Sequence, residues 1–387
     1  MTIKSEASRH SVMTWVSSRV RIRRRPGSVP VRLLGLSLGL SLAMTACSLG
    51  SSGDSETSGS SDGGAKNKEV VLATHESWAV PKEVLAEFTR ETGYRVKVQS
   101  SGDAGELTNK LVLTKGSPMA DAAYGVDNTF ASRAVDEGVF ADYTPSKSPG
   151  SAAGFEMPDK ADAAALTPID FGDVCVNVDD AWFAKKGIKP PRTLDDLADP
   201  TYKNLFVTPG ATTSSPGLAF MLATIAKYGE DGWQKYWERL MANGTRITSG
   251  WEDAYTVDFT AGGGNGDRPI VLSYDSSPPF TIPKGADKPT TSALLDTCYR
   301  QVEYAGVLAG ASNPEGAKAL VDFMQTPTFQ KALPENMYVF PVDDSVKLPD
   351  LWAKWAKTPE KPYSVDPATV AEKRDDWLTT WGEITTR

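Results

Sequence analysis

Histidine is nearly missing from this chain: 387 residues contain two, His10 and His75. Only His75 lies beyond the N-terminal leader described below. One imidazole weighs against Ser–His–Asp nucleophilic catalysis and against His-rich zinc or other metal sites. Past the low-complexity stretch ending at Asn67, no G-x-S-x-G, Walker or G-x-G-x-x-G pattern occurs. The usual signatures of hydrolase elbows, P-loops and dinucleotide folds are therefore lacking there. One glycine cluster, Gly262 to Gly266, precedes an apolar run instead of opening a helix, so it does not read as a phosphate cradle. Cysteine is scarce, with only Cys47, Cys175 and Cys298. No adjacent Tyr-Tyr pair offers the clustered phenolates that ferric iron favours. The leucine-rich stretch Leu33–Ala43 has eleven residues, too few to span a bilayer as a mature helix.

What is present begins with a basic leader. Residues 1–46 hold Lys4, Arg9, Arg19, Arg21, Arg23, Arg24, Arg25 and Arg32 against Glu6 alone. Leu33–Ala43 follows, and Met44-Thr45-Ala46-Cys47 closes the segment. This order describes an export signal whose end resembles a bacterial lipobox. Cleavage would leave a lipidated Cys47 as the first mature residue, although Met44 stands where Leu is usual. An ordinary signal peptide containing a cysteine is the plainer alternative. Arg23-Arg24-Arg25 suggests twin-arginine export, but Pro26 interrupts the flanking pattern, and Met13 offers a second start. Ser48 to Asn67 is serine, glycine and acid, with too little apolar surface to offset its ordering entropy. Residues 47–67 thus read as a lipid-anchored flexible tether, suited to the outer face of the cytoplasmic membrane in a Gram-positive-type cell. Without the leader, 33 basic residues face 48 acidic ones, about −15 by the count that gives −8 for the whole chain. That balance disfavours nucleic acid and anionic membrane as partners and modestly suits a cationic ligand.

The remainder alternates strands and helices. Glu69–Thr74, Tyr94–Val98 and Ala120–Val126 have strand character, separated by helical patterns over Pro81–Thr92 and Gly105–Lys115. This β-α-β-α-β order predicts a parallel sheet covered by helices. Pro145–Asp162 reads as a surface loop. Thr167–Val178 is a long extended run that leaves one lobe for another, and Tyr299–Leu308 brings the chain back. Between them lie a helix starting at Leu194–Leu197, a strand at Leu205–Val207, and helices over Pro216–Tyr228 and Gly232–Ala242. Ser215 is expected as the N-cap and Pro216 as N1 of the first of these two. Pro314–Met324, Thr328–Leu333 and Asp366–Trp381 read as helices, the last with Trp377 and Trp381 as core anchors. The expected fold is α/β and two-lobed, each lobe a mainly parallel sheet flanked by helices, joined by two crossover strands. The corresponding ranges are 68–172 for the first part of lobe 1, 173–300 for lobe 2, and 301–387 for the return and the C-terminal helices. Cys175 and Cys298 sit on or beside the crossing strands, and in an exported protein a bridge is favoured over two free thiols.

The most informative stretch runs from Gly250 to Phe280. Gly250-Trp251-Glu252-Asp253-Ala254-Tyr255 precedes the glycine cluster, and Ile270-Val271-Leu272 makes a short buried strand ending at Ser273-Tyr274. Asp275-Ser276-Ser277-Pro278-Pro279-Phe280 forms the loop after it. Ligands of open α/β sheets collect at the carboxyl ends of strands. Trp251, Tyr255, Tyr274 and Phe280 are therefore candidate aromatic walls, with Asp275, Ser276 and Ser277 as polar contacts, although each aromatic could equally sit in a core. Ser214-Ser215-Pro216-Gly217 opens a helix with free N–H groups and two hydroxyls, a candidate anion site that simple capping would also explain. Asp127 and Asp170 are candidate carboxylates for a cation, and turn capping would account for them as well.

Gly-Trp-x-x-Ala-Tyr followed by Val-Leu-Ser-Tyr-x-x-Ser-Pro resembles the periplasmic thiamine-binding proteins of ABC importers. Gly125-Val126-Asp127-Asn128, Ser214-Ser215-Pro216-Gly217-Leu218 and Pro341-Val342 match in the same order, the last preceded by Tyr338 and Phe340. The resemblance runs from about Val70 to the C-terminus. It implies a periplasmic-binding-protein fold of type II-like form. It also implies a monomeric receptor without cofactor or catalysis, which closes on thiamine or its phosphates and delivers them to an ABC permease. Thiamine joins a flat aminopyrimidine to a cationic thiazolium, and such a ligand wants aromatic faces beside a carboxylate. The resemblance places ring stacking at Trp251, Tyr274, Phe280 and Tyr338, includes the loop at His75, and puts the hydroxyl or phosphate tail at Ser214 and Ser215. Enteric members carry Tyr at the positions of His75 and Phe280 and Trp at that of Tyr338. Stacking survives these changes, whereas phenolic hydrogen bonds at His75 and Phe280 are lost. Three alternatives stand beside this reading: a polyamine receptor, a ferric-iron receptor, and an exported carboxylate hydrolase acting on a glycan.

Overall fold

The computed structural model describes residues 68–386. The leader, Cys47 and the tether to Asn67 lie outside the described residues. One curled sheet of eleven strands forms the frame. Its strands are β1 (Glu69–Thr74), β2 (Arg95–Ser100), β3 (Ala122–Asp127), β4 (Phe140–Ala141), β5 (Thr167–Asp179), β6 (Phe206–Pro209), β7 (Arg246–Thr248), β8 (Ile270–Tyr274), β9 (Thr291–Ala293), β10 (Tyr299–Leu308) and β11 (Phe340–Pro341). The main path runs β2-β1-β3-β10-β5-β8-β6-β7. β1 pairs in parallel with β2 and β3, and β6 pairs in parallel with β7 and β8. Two parallel half-sheets are thus joined through β10 and β5, which pair antiparallel at the centre. This is the α/β, two-lobed architecture expected, with two crossing strands side by side.

Alternation along β1 and β3 explains how lobe 1 is layered. Val70, Leu72, Ala122 and Tyr124 face a core shared with Phe88, Leu320, Phe323 and Phe329. Ala73 and Ala123 face the opposite core with Leu107, Leu111 and Ala134, and Val126 joins them because the register against β10 shifts by one residue at Gly125. Helix Lys82–Thr92 ends at Gly93, whose φ of 77° is the left-handed cap that glycine adopts without a Cβ penalty. Pro145–Asp162 is less irregular than expected: it holds a 3-10 turn at Gly150–Phe155 and enters helix Lys160–Ala165. The segment expected as one helix over Thr328–Leu333 is two short ones, Pro327–Gln330 and Leu333–Met337, each with a proline in its first turn. Pro334 removes an N–H and restarts the helix.

Lobe 2 packs around helix Ser215–Tyr228, which is apolar on nearly every face and buried through Ile225. Phe220 meets the ring of Trp237 edge-on at 5.5 Å, and Trp237 meets Trp381 at 5.5 Å. Trp381 and Trp377 belong to the final helix, Pro367–Thr385, so this helix docks in the core of lobe 2. After helix Pro314–Met324 has packed on lobe 1, the chain therefore passes between lobes a third time, through an irregular segment.

At the hinge, Cys175 and Cys298 form a disulfide with Cα atoms 4.2 Å apart. Arg300 grips Asp173 with Nε to Oδ1 at 2.7 Å and Nη2 to Oδ2 at 3.0 Å. Both contacts cross-link β5 to the start of β10.

Candidate functional site

A narrow cleft of about 60 Å³ opens where the two half-sheets meet. Lobe 1 contributes His75 and Ser77, directly after β1, and Asp103, the cap of the helix after β2. Lobe 2 contributes Ser215 after β6, Trp251 after β7, and Tyr274 and Ser277 at the end of β8. Gln301 and Glu303 rise from the crossing strand β10, and Met337, Tyr338 and Val339 come from the returning segment. The strands thus deliver polar and aromatic groups from their carboxyl ends.

Trp251 is held at three points. Its backbone N–H donates to Asp103 Oδ2 at 2.8 Å, and its indole N–H donates to Ser273 Oγ at 3.0 Å. Its ring stacks on Tyr255 with centroids 5.0 Å apart and planes 16° apart. The residues that follow, Asp253–Asp258, wind as a π-helix, a form that recurs at functional sites. Ser273 and Ser277 hydroxyls are 2.7 Å apart, and Ser277 Oγ also accepts from the Tyr274 N–H, so the post-strand loop folds back under the indole. Tyr338 has φ 55°, an uncommon left-handed conformation for a large side chain. Its carbonyl accepts a 2.6 Å hydrogen bond from Ser276, which ties it to lobe 2.

The cleft floor is a row of acids. Glu303 on β10 stands directly opposite Asp127 on β3 and Asp170 on β5. Like charges in register destabilise a sheet unless they are neutralised. Here the neutralisation is visible. His75 Nε2 lies 3.2 Å from Glu303 Oε1. Tyr124 donates to Asp170 Oδ2 at 2.6 Å and to Glu303 Oε2 at 3.1 Å. Burial opposes charge on Glu303, but the His75 cation outweighs it and holds this carboxyl below its ordinary range. Burial likewise works against charge on His75, and the Glu303 carboxylate overcomes it, so the imidazole pKa is raised. Asp170 is pushed well above the carboxylate range by burial and by Glu303, which keeps it neutral. Asp127, fully buried, is pushed up to about 7 despite hydrogen bonds from the Thr129 hydroxyl and N–H. Gly125 makes the arrangement fit: a Cβ there would come within 2.2 Å of the His75 ring, and its φ is 92°.

At the mouth, Glu76 is pushed up to about 7, first by partial burial and then by Glu252, Asp103, Asp253 and Glu106. This rim is acidic on both lobes.

Of the candidate residues, His75, Ser215, Trp251, Tyr274, Ser277 and Tyr338 line the cleft. Tyr255 lies behind Trp251, buried. Phe280 is about half exposed and meets Tyr255 and Tyr338 edge-on, which places it at the rim. Asp127 and Asp170 flank Glu303 beneath the floor. The N-cap of helix Ser215–Tyr228 is Ser214, not Ser215: the Ser214 hydroxyl accepts from Gly217 N–H at 3.4 Å. Gly217 serves packing, since a Cβ would lie 2.5 Å from the Gly210 carbonyl oxygen. Sequence reasoning missed Asp103, Gln301 and Glu303. The signal was there in part: Gln301 and Glu303 are polar at i and i+2 on one face of a buried strand.

The model of a bacterial extracellular solute-binding protein family matches residues 117–266. A thiamine-binding periplasmic protein of Brucella abortus biovar 1 (strain 9-941) is 32% identical over 339 residues, covering 84% of this chain and 93% of its own. Its counterpart in Escherichia coli (strain K12) is 29% identical over 314 residues, covering 80% and 90%. The solved structure of a periplasmic thiamin binding protein superposes with a TM-score of 0.71 at 28% identity, covering 82% of this chain and 96% of that one.

Proposed function

The chain belongs to the family of thiamine-binding periplasmic proteins, and on that premise we propose that its interlobe cleft binds thiamine or its phosphates for delivery to an ABC permease. One observation carries the placement of the ligand: the Glu303 carboxylate, held ionised by His75, lines the floor of the same cleft as the rings of Trp251, Tyr274 and Tyr338. A flat cation gains from both at once, through ring stacking and through charge. The acidic groups gathered at the mouth, Glu76, Glu252 and Asp253, suit a thiazolium, whose charge would favour their ionised forms.

In this reading Trp251, Tyr274 and Tyr338 stack on the rings, with Tyr255 and Phe280 supporting them. His75, Ser77, Ser277 and Gln301 supply hydrogen bonds. Asp127 and Asp170 act from beneath, by setting the charge at Glu303. Binding and release occur by closure of the lobes about β5 and β10, without a chemical step. The receptor acts as a monomer outside the cytoplasmic membrane, held there by lipid on Cys47 and by the tether to Asn67.

Titration calorimetry of the mature protein tests the ligand. Thiamine, its mono- and diphosphate, spermidine and ferric citrate form the panel. Saturable heat with the thiamine compounds is expected. Heat with spermidine or ferric citrate and none with any thiamine compound would overturn the reading.

A further inference from the structure

Behind the cleft, two acids meet at the hinge. Asp173 of β5 and Asp275, the first residue after β8, are both buried. The Asp275 N–H donates to the Asp173 carbonyl at 2.9 Å, and the Asp173 N–H donates to Asp275 Oδ1 at 3.0 Å. Arg300 from β10 takes both carboxyl oxygens of Asp173. Among the described residues no hydrogen-bond donor reaches Asp275 Oδ2, although that atom is buried. The Asp275 carboxyl instead meets the Asp173 carboxyl. Two carboxylates can only accept, so this contact closes when one of them carries a proton. Burial pushes Asp275 well above the ordinary carboxylate range, and the charge on Asp173 adds to the push. Burial pushes Asp173 up as well, but Arg300 opposes it, which leaves the proton on Asp275. The pair lies outside the cleft. Asp275 lines a separate cavity of about 270 Å³, whose other charged groups are Asp180, Lys288 and Lys357.

We propose that Asp173 and Asp275 hold one proton between them and thereby act as a positioning pair for the cleft, fixing the loop after β8 to the hinge strand. With the proton in place, one negative charge faces one arginine and every contact has a donor. Without it, two buried negative charges share that arginine and repel, and the loop parts from β5. This loop carries the polar footing of the cleft. Ser276 donates to the Tyr338 carbonyl at 2.6 Å, and Ser277 meets Ser273, on which the Trp251 indole N–H rests. Freeing Asp275 therefore loosens both aromatic walls without touching a ligand. Ionising Asp275 disfavours the arrangement progressively as pH rises from the ordinary 3.8 through the folded value. The inference deepens the reading of the cleft given above, and its first two measurements need no ligand.

Carboxyl NMR of the mature protein follows Asp275, its signal assigned by its absence in Asp275→Asn. A protonated Asp275 is expected at neutral pH, and an ionised one would overturn the inference. Hydrogen exchange over residues 273–280, expressed against the unstructured rate at each pH, reads the positioning. Asparagine donates and accepts without charge. Asp275→Asn is therefore expected to match wild-type protection at neutral pH and to keep it in alkali, where the wild type loses it. Asp275→Ala can do neither, and about tenfold or more of that protection is expected to go at neutral pH. Equal protection in all three proteins, or a wild type that tracks Asp275→Asn throughout alkali, would overturn the inference. Should Asp275→Ala fail to fold, Asp275→Ser is measured, and the wild-type NMR titration still decides. Thiamine titration of the same proteins joins the pair to the cleft: about tenfold weaker binding is expected in Asp275→Ala, and unchanged affinity would overturn the positioning role. A wild type that binds no thiamine would sink the thiamine reading alone, because the NMR and exchange results still judge the proton pair.

Discussion

His75 Nε2 and Glu303 Oε1, 3.2 Å apart, form an ion pair between the loop after β1 and the middle of a crossing strand. Each side chain is about one-tenth exposed, so solvent screens the pair little. The raised imidazole pKa makes the His75 contribution complete below its ordinary 6.5 and lost as pH rises through the folded value. The lowered Glu303 pKa makes its contribution complete above its ordinary 4.5 and lost as pH falls through the folded value. His75→Gln should therefore lower stability by roughly 3–5 kcal/mol near neutral pH, as expected when a buried charge loses its partner. Denaturant unfolding at several pH values checks this. The deficit should shrink both in acid and once the wild-type imidazole deprotonates, and a pH-independent deficit would remove the ion pair from the explanation.

Asp127 offers a test of opposite sign. Its folded pKa, about 7, lies above the ordinary 3.8, so ionising it disfavours the folded state progressively from about pH 4 to 7. Asp127→Asn keeps an acceptor for Thr129 and removes that penalty. The melting temperature of the variant relative to wild type should rise across this interval and level off above it. A flat difference would contradict the burial argument.

Trp251→Ala should weaken thiamine binding by roughly 1–3 kcal/mol, the range for one aromatic stacked on a base. Thiamine should also quench wild-type tryptophan emission, and the variant should lose part of that quench. A variant that unfolds easily while its folded fraction binds normally would assign Trp251 to the core with Tyr255.

Cys175→Ser together with Cys298→Ser opens a loop closed across 123 residues. The chain-entropy account gives roughly 3–5 kcal/mol of lost stability for such a loop. Urea unfolding of the double variant against oxidised wild type measures it. A loss below about 1 kcal/mol would mean that Arg300 and Asp173 already hold the hinge without the bond.

Cys47→Ser should move the protein from the membrane fraction to the medium while thiamine binding stays unchanged. A variant still found in the membrane fraction would end the lipoprotein reading.

The architecture was largely legible because each level agreed. Alternation at Val70 and Leu72, helical spacing at Val84, Leu85 and Phe88, and the capping glycine at Gly93 all pointed to one parallel unit. Trp251, Tyr274 and Tyr338 were legible through motif resemblance, since aromatics at strand ends stand out. Asp103 was hidden because an acid before a helix reads as an ordinary cap, and its bonds to Ser215 and Trp251 depend on the approach of two lobes far apart in sequence. Glu303 was hidden inside a run that reads as buried strand. Asp127 and Asp170 were noticed, but their place beneath the floor follows from strand register, which local pattern does not specify across a 13-residue crossover strand. The docking of the final helix on lobe 2 was similarly unreadable, because Trp377 and Trp381 announce a core without saying which.

That docking gives the two ends of the folded chain separate addresses. β1, at the start, is built into lobe 1, and helix Pro367–Thr385, at the finish, is built into lobe 2. A fluorophore placed at Lys68 and another at Thr386 would ride on opposite jaws without touching the cleft. Their separation would then report each closure optically, making the protein a ready scaffold for a genetically encoded vitamin sensor.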